Sequence, residues 1–230
     1  MADSNGILVV MQNVDDARLA DHLKWYENVH LPDVCAVPEV TRGEFASALP
    51  SDEKLRWGHA SAFWFSGDPL AVLGEVFRRA GAGEWEMSDT VDQTTSMMAV
   101  GEALTGRMRS TITPDASGKD RFLFMVMTNC TPGDDDAFNA WYNDVHVPDI
   151  LDVPGFTAAQ RFRFVDHPAL GDYPFRYLAI YEVAADQVEA AFAEMNARAG
   201  TDKMVLSPTL DVENVHAVCF APQAVCNANG

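Results

Sequence analysis

The sequence predicts an α+β fold built from two successive βαββαβ units, and three observations carry that expectation. The segment Trp25-Tyr26-Glu27-Asn28-Val29-His30-Leu31-Pro32-Asp33-Val34-Cys35-Ala36-Val37-Pro38 returns as Trp141-Tyr142-Asn143-Asp144-Val145-His146-Val147-Pro148-Asp149-Ile150-Leu151-Asp152-Val153-Pro154. The offset, 141 − 25 = 116 residues, is about half of the 230-residue chain. It exceeds the roughly 20–50 residues of a solenoid repeat and reads as a duplicated small domain. The register continues upstream, where Ile7 to Asn13 aligns with Leu123 to Asn129. Within each half, period-2 runs and helical periodicity alternate in the order strand, helix, strand, strand, helix, strand.

The second half shows the elements most clearly. Arg121 to Asn129 is rich in Phe, Met and Val and reads as a strand. Pro132-Gly133-Asp134-Asp135-Asp136 supplies a turn and the acidic start of a helix that carries Phe138, Trp141, Tyr142 and Val145 on one face. Pro148 is expected to end that helix, because a proline pushes its predecessor out of the α region. A short second helix then runs to Val153. After the Pro154-Gly155 turn, Thr157 to Phe164 alternates, with Arg161 and Arg163 opposite Phe162 and Phe164. Phe175 to Val183 is the third strand, Asp186 opens an amphipathic helix through Met195, and the last strand lies near Val212 to Phe220.

The first half repeats this order, with strands near Ile7, Thr41 and Ala60 and a helix from Asp68 towards Ala80. Its last strand lies near Val100 to Leu104. The polar stretch from Thr111 to Gly118 reads as the linker, which sets the expected divisions at residues 1–110, 111–120 and 121–230. A four-stranded sheet with helices on one face leaves the other face uncovered. A second copy is expected to cover it, as an intramolecular pseudo-dimer.

Composition narrows the function classes. With 16 basic and 34 acidic side chains the formal charge is −18 and no basic face emerges, which argues against nucleic acid and anionic membranes as partners. No run of about 18 apolar residues is present, so no spanning helix is expected. The expected partner is a small-molecule substrate, with a homodimer as a further option. Cys35, Cys130, Cys219 and Cys226 lack C-x-x-C spacing, and Cys35 aligns with Leu151, so it is assigned to apolar packing. A reducing cytoplasm is the expected setting. No phosphate-binding loop, nucleophile elbow or H-E-x-x-H occurs, and neither a metal nor a cofactor is expected.

The repeated W-Y-x-x-V-H-x-P-D-x-x-x-V-P segment, placed after the first helix of each unit and followed by a strand, resembles the dimeric α+β-barrel superfamily, and within it the EthD-like proteins. The likeness covers both halves. It implies tandem ferredoxin-like units forming an intramolecular α+β barrel. Related barrels include isomerases, dehydratases, decarboxylases, monooxygenases and haem proteins, so fold alone does not fix the reaction.

The candidate catalytic residues are His146, Asp149 and Tyr142, with His30, Asp33 and Tyr26 as the matching set. Tyr and His lie one helical turn apart, and the Asp three residues on is placed to orient or charge the imidazole. A histidine at a helix C-terminus gains about 0.3–1 kcal/mol as a cation, which predicts a raised pKa. Each histidine could equally bond the last carbonyls, and each Asp could cap the second helix.

Trp25 and Trp141 read as core or as ligand platforms. Arg161 and Arg163 stand where the first half has Phe45 and Ser47, either to hold a substrate carboxylate or phenolate or as a salt-bridged sheet face. Glu182 is placed to pair with these arginines or act as a base, and His59 occupies the corresponding region of the first half. His22 is expected on a solvated helical turn, His167 in a loop and His216 on the last strand. The reading that follows is a cofactor-independent lyase or isomerase acting on a small apolar cyclic or aromatic compound. A cofactor-free aromatic monooxygenase and a non-catalytic module for haem or a hydrophobic metabolite are the alternatives.

Overall fold

The computed structural model describes residues 4–51, 54–91, 94–171 and 173–227. The chain forms two compact units. The first comprises Met1–Ala103, Phe164–Tyr173 and Phe220–Gly230; the second comprises Leu104–Arg163 and Pro174–Cys219. Each is therefore assembled from separate stretches of chain, whereas the repeat suggests contiguous halves.

In the first unit β1 (Gly6–Gln12) is followed by α1 (Leu19–Trp25), a π turn (Tyr26–His30) and α2 (Leu31–Cys35). Then come β2 (Val40–Ala48), β3 (His59–Phe65), α3 (Pro69–Gly81) and β4 (Met97–Ala103). The strands lie in the order β4-β1-β3-β2, with antiparallel neighbours, which is the ferredoxin-like arrangement. Phe220–Asn227 adds to the free edge of β2. Every residue of β3 is buried, as expected of a central strand covered on both faces. Asp68 starts α3 by accepting from the amides of Leu70 and Ala71, at 2.8 and 2.9 Å.

The second unit holds β5 (Met108–Arg109), β6 (Arg121–Thr128), α4 (Asp135–Trp141), a second π turn (Tyr142–His146) and α5 (Val147–Leu151). It continues with β7 (Phe156–Phe164), β8 (Tyr177–Ala184), α6 (Val188–Arg198) and the first residues of β9 (His216–Asn227). The order β9-β6-β8-β7 matches that of the first unit, and β5 extends the β7 edge. Gly155 turns the chain from α5 into β7 at φ +98°, where a Cβ would lie 2.8 Å from that of Ala191 on α6.

Three sequence expectations are corrected here. Pro32 and Pro148 do not end their helices. An i→i−5 bond, from Leu31 N–H to the Tyr26 carbonyl and from Val147 N–H to the Tyr142 carbonyl, inserts one extra residue just before each proline. The proline then sits in the first turn of the next helical segment, where its missing N–H costs nothing. His22 is not solvated: it is 0% exposed, because α1 turns that face onto the sheet. Cys35 is not only a packing residue, since it forms a disulfide with Cys226. Among the described residues no helix is long and apolar enough to cross a membrane.

Candidate functional site

The π turns decide where the repeated residues point. His30 lies five positions after Trp25 and His146 five after Trp141, and the widened turn brings each pair into register. The rings stack at 4.7 Å in the first unit and 4.8 Å in the second. Each histidine meets the edge of its tyrosine, Tyr26 at 5.0 Å and Tyr142 at 4.9 Å. Each tryptophan is pinned by its indole N–H, which donates to the Glu86 carbonyl at 2.9 Å or the Val205 carbonyl at 3.1 Å. Both units thus hold an imidazole between an indole face and a phenol edge.

Those imidazoles are neutral. Burial presses His30 and His146 down to about 4, with Arg161 adding to the effect at His146. The raised value expected from the helix terminus is corrected: desolvation of the cation outweighs a dipole interaction worth about 0.3–1 kcal/mol. Nδ1 of each ring is buried without a hydrogen-bond partner among the described residues. An orienting bond from Asp33 or Asp149 to that nitrogen is therefore absent. Because the helix continues past the proline, each carboxylate sits among other charges. Burial, then Glu86, raises the pKa of Asp33; burial, then Asp152, raises that of Asp149, opposed by Arg198.

The two units differ in what surrounds this shared core. In the first, the Tyr26 hydroxyl donates to Ser61 Oγ at 2.5 Å and its ring stacks on Phe45 at 4.3 Å. Trp85, 8% exposed, closes on His30 edge-on at 6.1 Å. His22 is held between Thr90 Oγ1 at 2.8 Å and the Gln12 amide at 3.3 Å. His59 stacks on Phe45 at 5.6 Å, and burial lowers its pKa.

In the second unit Phe138 takes the place of His22, Arg161 that of Phe45 and Met204 that of Trp85. The last equivalence follows from the indole bonds, since Trp85 and Met204 each precede the acceptor carbonyl. With a thinner side chain there, a cavity of about 180 Å³ opens beside His146, lined by Tyr142, Tyr181, Phe124, Ile150 and Met204. Leu206 and Val215, 46% and 41% exposed, stand at its mouth. Burial raises the pKa of the Tyr142 and Tyr181 phenols, which interact with each other. An engineered cavity of about 150 Å³ takes up benzene, so this one suits a single substituted ring.

The remaining candidates fall elsewhere. Arg161 is 1% exposed and does not line the cavity; it lies under Tyr142, 4.0 Å from the ring centroid. Arg163 points outward and is exposed. Glu182 pairs with Arg107 at 2.8 Å and Arg121 at 3.3 Å, which corrects its expected partnership with Arg161 and Arg163. On β8 it follows Tyr181, whose side chain lines the cavity, and successive strand side chains point to opposite faces. His167 caps a turn by accepting from the Ala169 amide at 3.2 Å, and His216 lies against Phe175 on β9. Among the described residues no cluster of three or more His, Cys, Asp or Glu is disposed to hold a metal ion.

Sequence reasoning missed the segment that carries Trp85 in the first unit and Met204 in the second. Ser88-Asp89-Thr90 and Ser207-Pro208-Thr209 form the same hydroxyl pair, both at 2.7 Å. Their offset, 207 − 88 = 119, departs from 116, so a gap-free comparison hides the match.

No protein-family model matches the chain, and no curated protein matches it. Solved structures do. The chain is similar to an anthrone oxidase-like protein, with a TM-score of 0.63 and 13% identity over 99% of this chain and 94% of that one. It is also similar to a putative monooxygenase from Lactobacillus acidophilus, with a TM-score of 0.59 and 8% identity over 98% and 97% of the two chains. A heme-binding protein from Thermus thermophilus follows, with a TM-score of 0.52 and 12% identity over 95% and 91%. At such identities the likeness is one of fold alone, an α+β fold. The lyase or isomerase expectation is withdrawn, because these relatives in fold are described as oxidase-like and monooxygenase proteins. Haem does not fit the cavity. A macrocycle of four pyrroles is several times larger than the single ring it suits.

Proposed function

We propose that the protein is an oxygenase in which a small electron-rich hydroxyarene supplies all the electrons, bound in the second unit beside His146. The carrying observation is the apolar cavity lined by the imidazole of His146, which burial keeps neutral, and by the phenol side chains of Tyr142 and Tyr181. The oxidase-like and monooxygenase descriptions of proteins that share the fold support the class. The repeated segment and the twin indole–imidazole stacks support descent of the two units by tandem duplication, from an EthD-like ancestor.

His146 takes the phenolic proton, and Tyr142 donates to the resulting oxyanion. The phenolate gives one electron to dioxygen, and the two radicals join as a C–O bond to an aryl peroxide. The imidazolium returns its proton to the distal oxygen. Loss of the ring C–H proton with the departing hydroxide then forms water and a quinone. Hydroxyarene plus O₂ thus gives quinone plus water, with one oxygen atom in each product. Apolar walls keep bulk water from the charged intermediates.

The test is oxygen uptake with monocyclic phenols, combined with ¹⁸O₂ labelling. One labelled atom is expected in the quinone and one in water, and His146→Ala is expected to slow turnover by about 10²–10⁴-fold without unfolding. Turnover under nitrogen, or full activity in that variant, would refute the proposal.

A further inference from the structure

Arg161 is a buried cation in an unusual setting. Its guanidinium donates to two neutral amides, Asn143 Oδ1 at 2.5 Å and Asn139 Oδ1 at 3.1 Å, and its Nε has no hydrogen-bond partner among the described residues. No carboxylate among the described residues pairs with it. Asp135 is reached only indirectly, through Asn139 and the Tyr177 hydroxyl, which donates to Asp135 at 2.5 Å. Three aromatic rings surround the charge: Tyr142 at 4.0 Å, Phe138 at 5.4 Å and Tyr177 at 5.7 Å. Buried charges are ordinarily paired, and an unpaired one is costly to keep. The first unit avoids the cost by placing Phe45 at this position.

The charge also opposes the character of the whole chain. A protein with a formal charge of −18 repels anions at long range. Screening over about 8 Å at physiological salt confines that repulsion to the surface, so a local buried cation governs the cavity. The cation reaches the cavity through Tyr142, whose ring it covers and whose side chain lines the wall.

We propose that Arg161 is a positioning residue that makes the cavity select aromatic ligands in their anionic form, by polarising the Tyr142 hydroxyl as a donor to a phenolate or enolate oxygen. This deepens the proposed oxygenase reading and rests on its choice of site. The ligand class is weakly acidic hydroxyarenes of one ring, which enter neutral and are held ionised. Neighbouring groups that contribute to the field are neutral His146, the Tyr181 phenol and, more distantly, the Asp135–Tyr177 pair.

The experiment is anaerobic titration of the full-length protein with 4-nitrophenol, whose neutral and ionised forms absorb at different wavelengths. In the wild type the bound probe is expected to ionise at least one pH unit below the free probe, a tenfold preference for the phenolate. Arg161→Met fills the same space without charge and is expected to abolish the preference while still binding the neutral form. Tyr142→Phe keeps the ring, removes the donor and is expected to lose the preference too. Thermal melts check that both variants fold.

Equal affinity for phenol and phenolate in the wild type, or no binding, overturns the proposal. So does an unchanged preference in Arg161→Met. Because no turnover is measured, these outcomes are separate from the oxygen-uptake result. A protein that consumes oxygen yet binds both forms equally keeps the reaction and loses this role for Arg161.

Discussion

At the residue scale, the replacement with the most direct bearing on the cavity is that of Trp85 by Met204. Trp85 packs edge-on against His30, while the second unit places Met204 at that point and leaves room for a ring. Met204→Trp copies the first arrangement into the second. It is expected to exclude 4-nitrophenol and stop oxygen uptake although His146, Tyr142 and Arg161 are untouched. Overpacking of this kind costs about 1–3 kcal/mol, so the variant should remain folded by circular dichroism. Binding that persists unchanged would mean that the ligand does not occupy this cavity. The same comparison explains why two copies of one motif differ chemically. Tyr26 spends its hydroxyl on Ser61, whereas Tyr142 faces the cavity and a second phenol.

The elements carry the next level of constraint. The disulfide joins Cys35 at the end of α2 to Cys226 on the last strand, across a sequence separation of 191. Closing so long a loop restricts the unfolded chain, and such bridges typically contribute about 2–4 kcal/mol. Cys226→Ser is expected to lower the urea midpoint correspondingly. Adding reductant should reproduce the effect in the wild type and leave the variant unaltered. A wild type indifferent to reductant would show that the bridge contributes nothing. The sequence made the element order readable because alternation in Thr157 to Phe164 and helical spacing from Phe138 to Val145 are local signals. It could not reveal the π turns, since Pro148 looks like a stop until the i→i−5 bond ahead of it is known. The match of Ser88-x-Thr90 with Ser207-x-Thr209 was hidden by a shift in register. His30 and His146 were legible as candidates from repetition alone. Their neutrality was not, because it depends on burial that only tertiary packing creates.

At the scale of the whole molecule those buried imidazoles set an acid limit on stability. His22, His30 and His146 each have a folded pKa of about 4, lowered chiefly by burial, against about 6.5 in an unfolded chain. Between these values the unfolded state binds protons that the folded state refuses. Stability is therefore fully present above pH 6.5 and declines as pH falls towards 4. Each histidine contributes a slope of about 1.4 kcal/mol per pH unit, so the three together approach about 4 kcal/mol per unit. Asp33 and Asp149, whose pKa values are raised, pull weakly in the opposite direction. Carboxylates lowered by arginine partners, such as Glu75 at about 2, lose their contribution only below the unfolded carboxylate range and do not shape this window. Urea midpoints measured at pH 7, 6 and 5 are expected to fall steadily. His22→Phe, which installs the residue type that Phe138 supplies in the second unit, should flatten the dependence by about a third. A midpoint that stays level or rises on acidification would show that these rings accept protons in the folded protein. A cationic His146 could not then serve as the base that ionises a bound hydroxyarene.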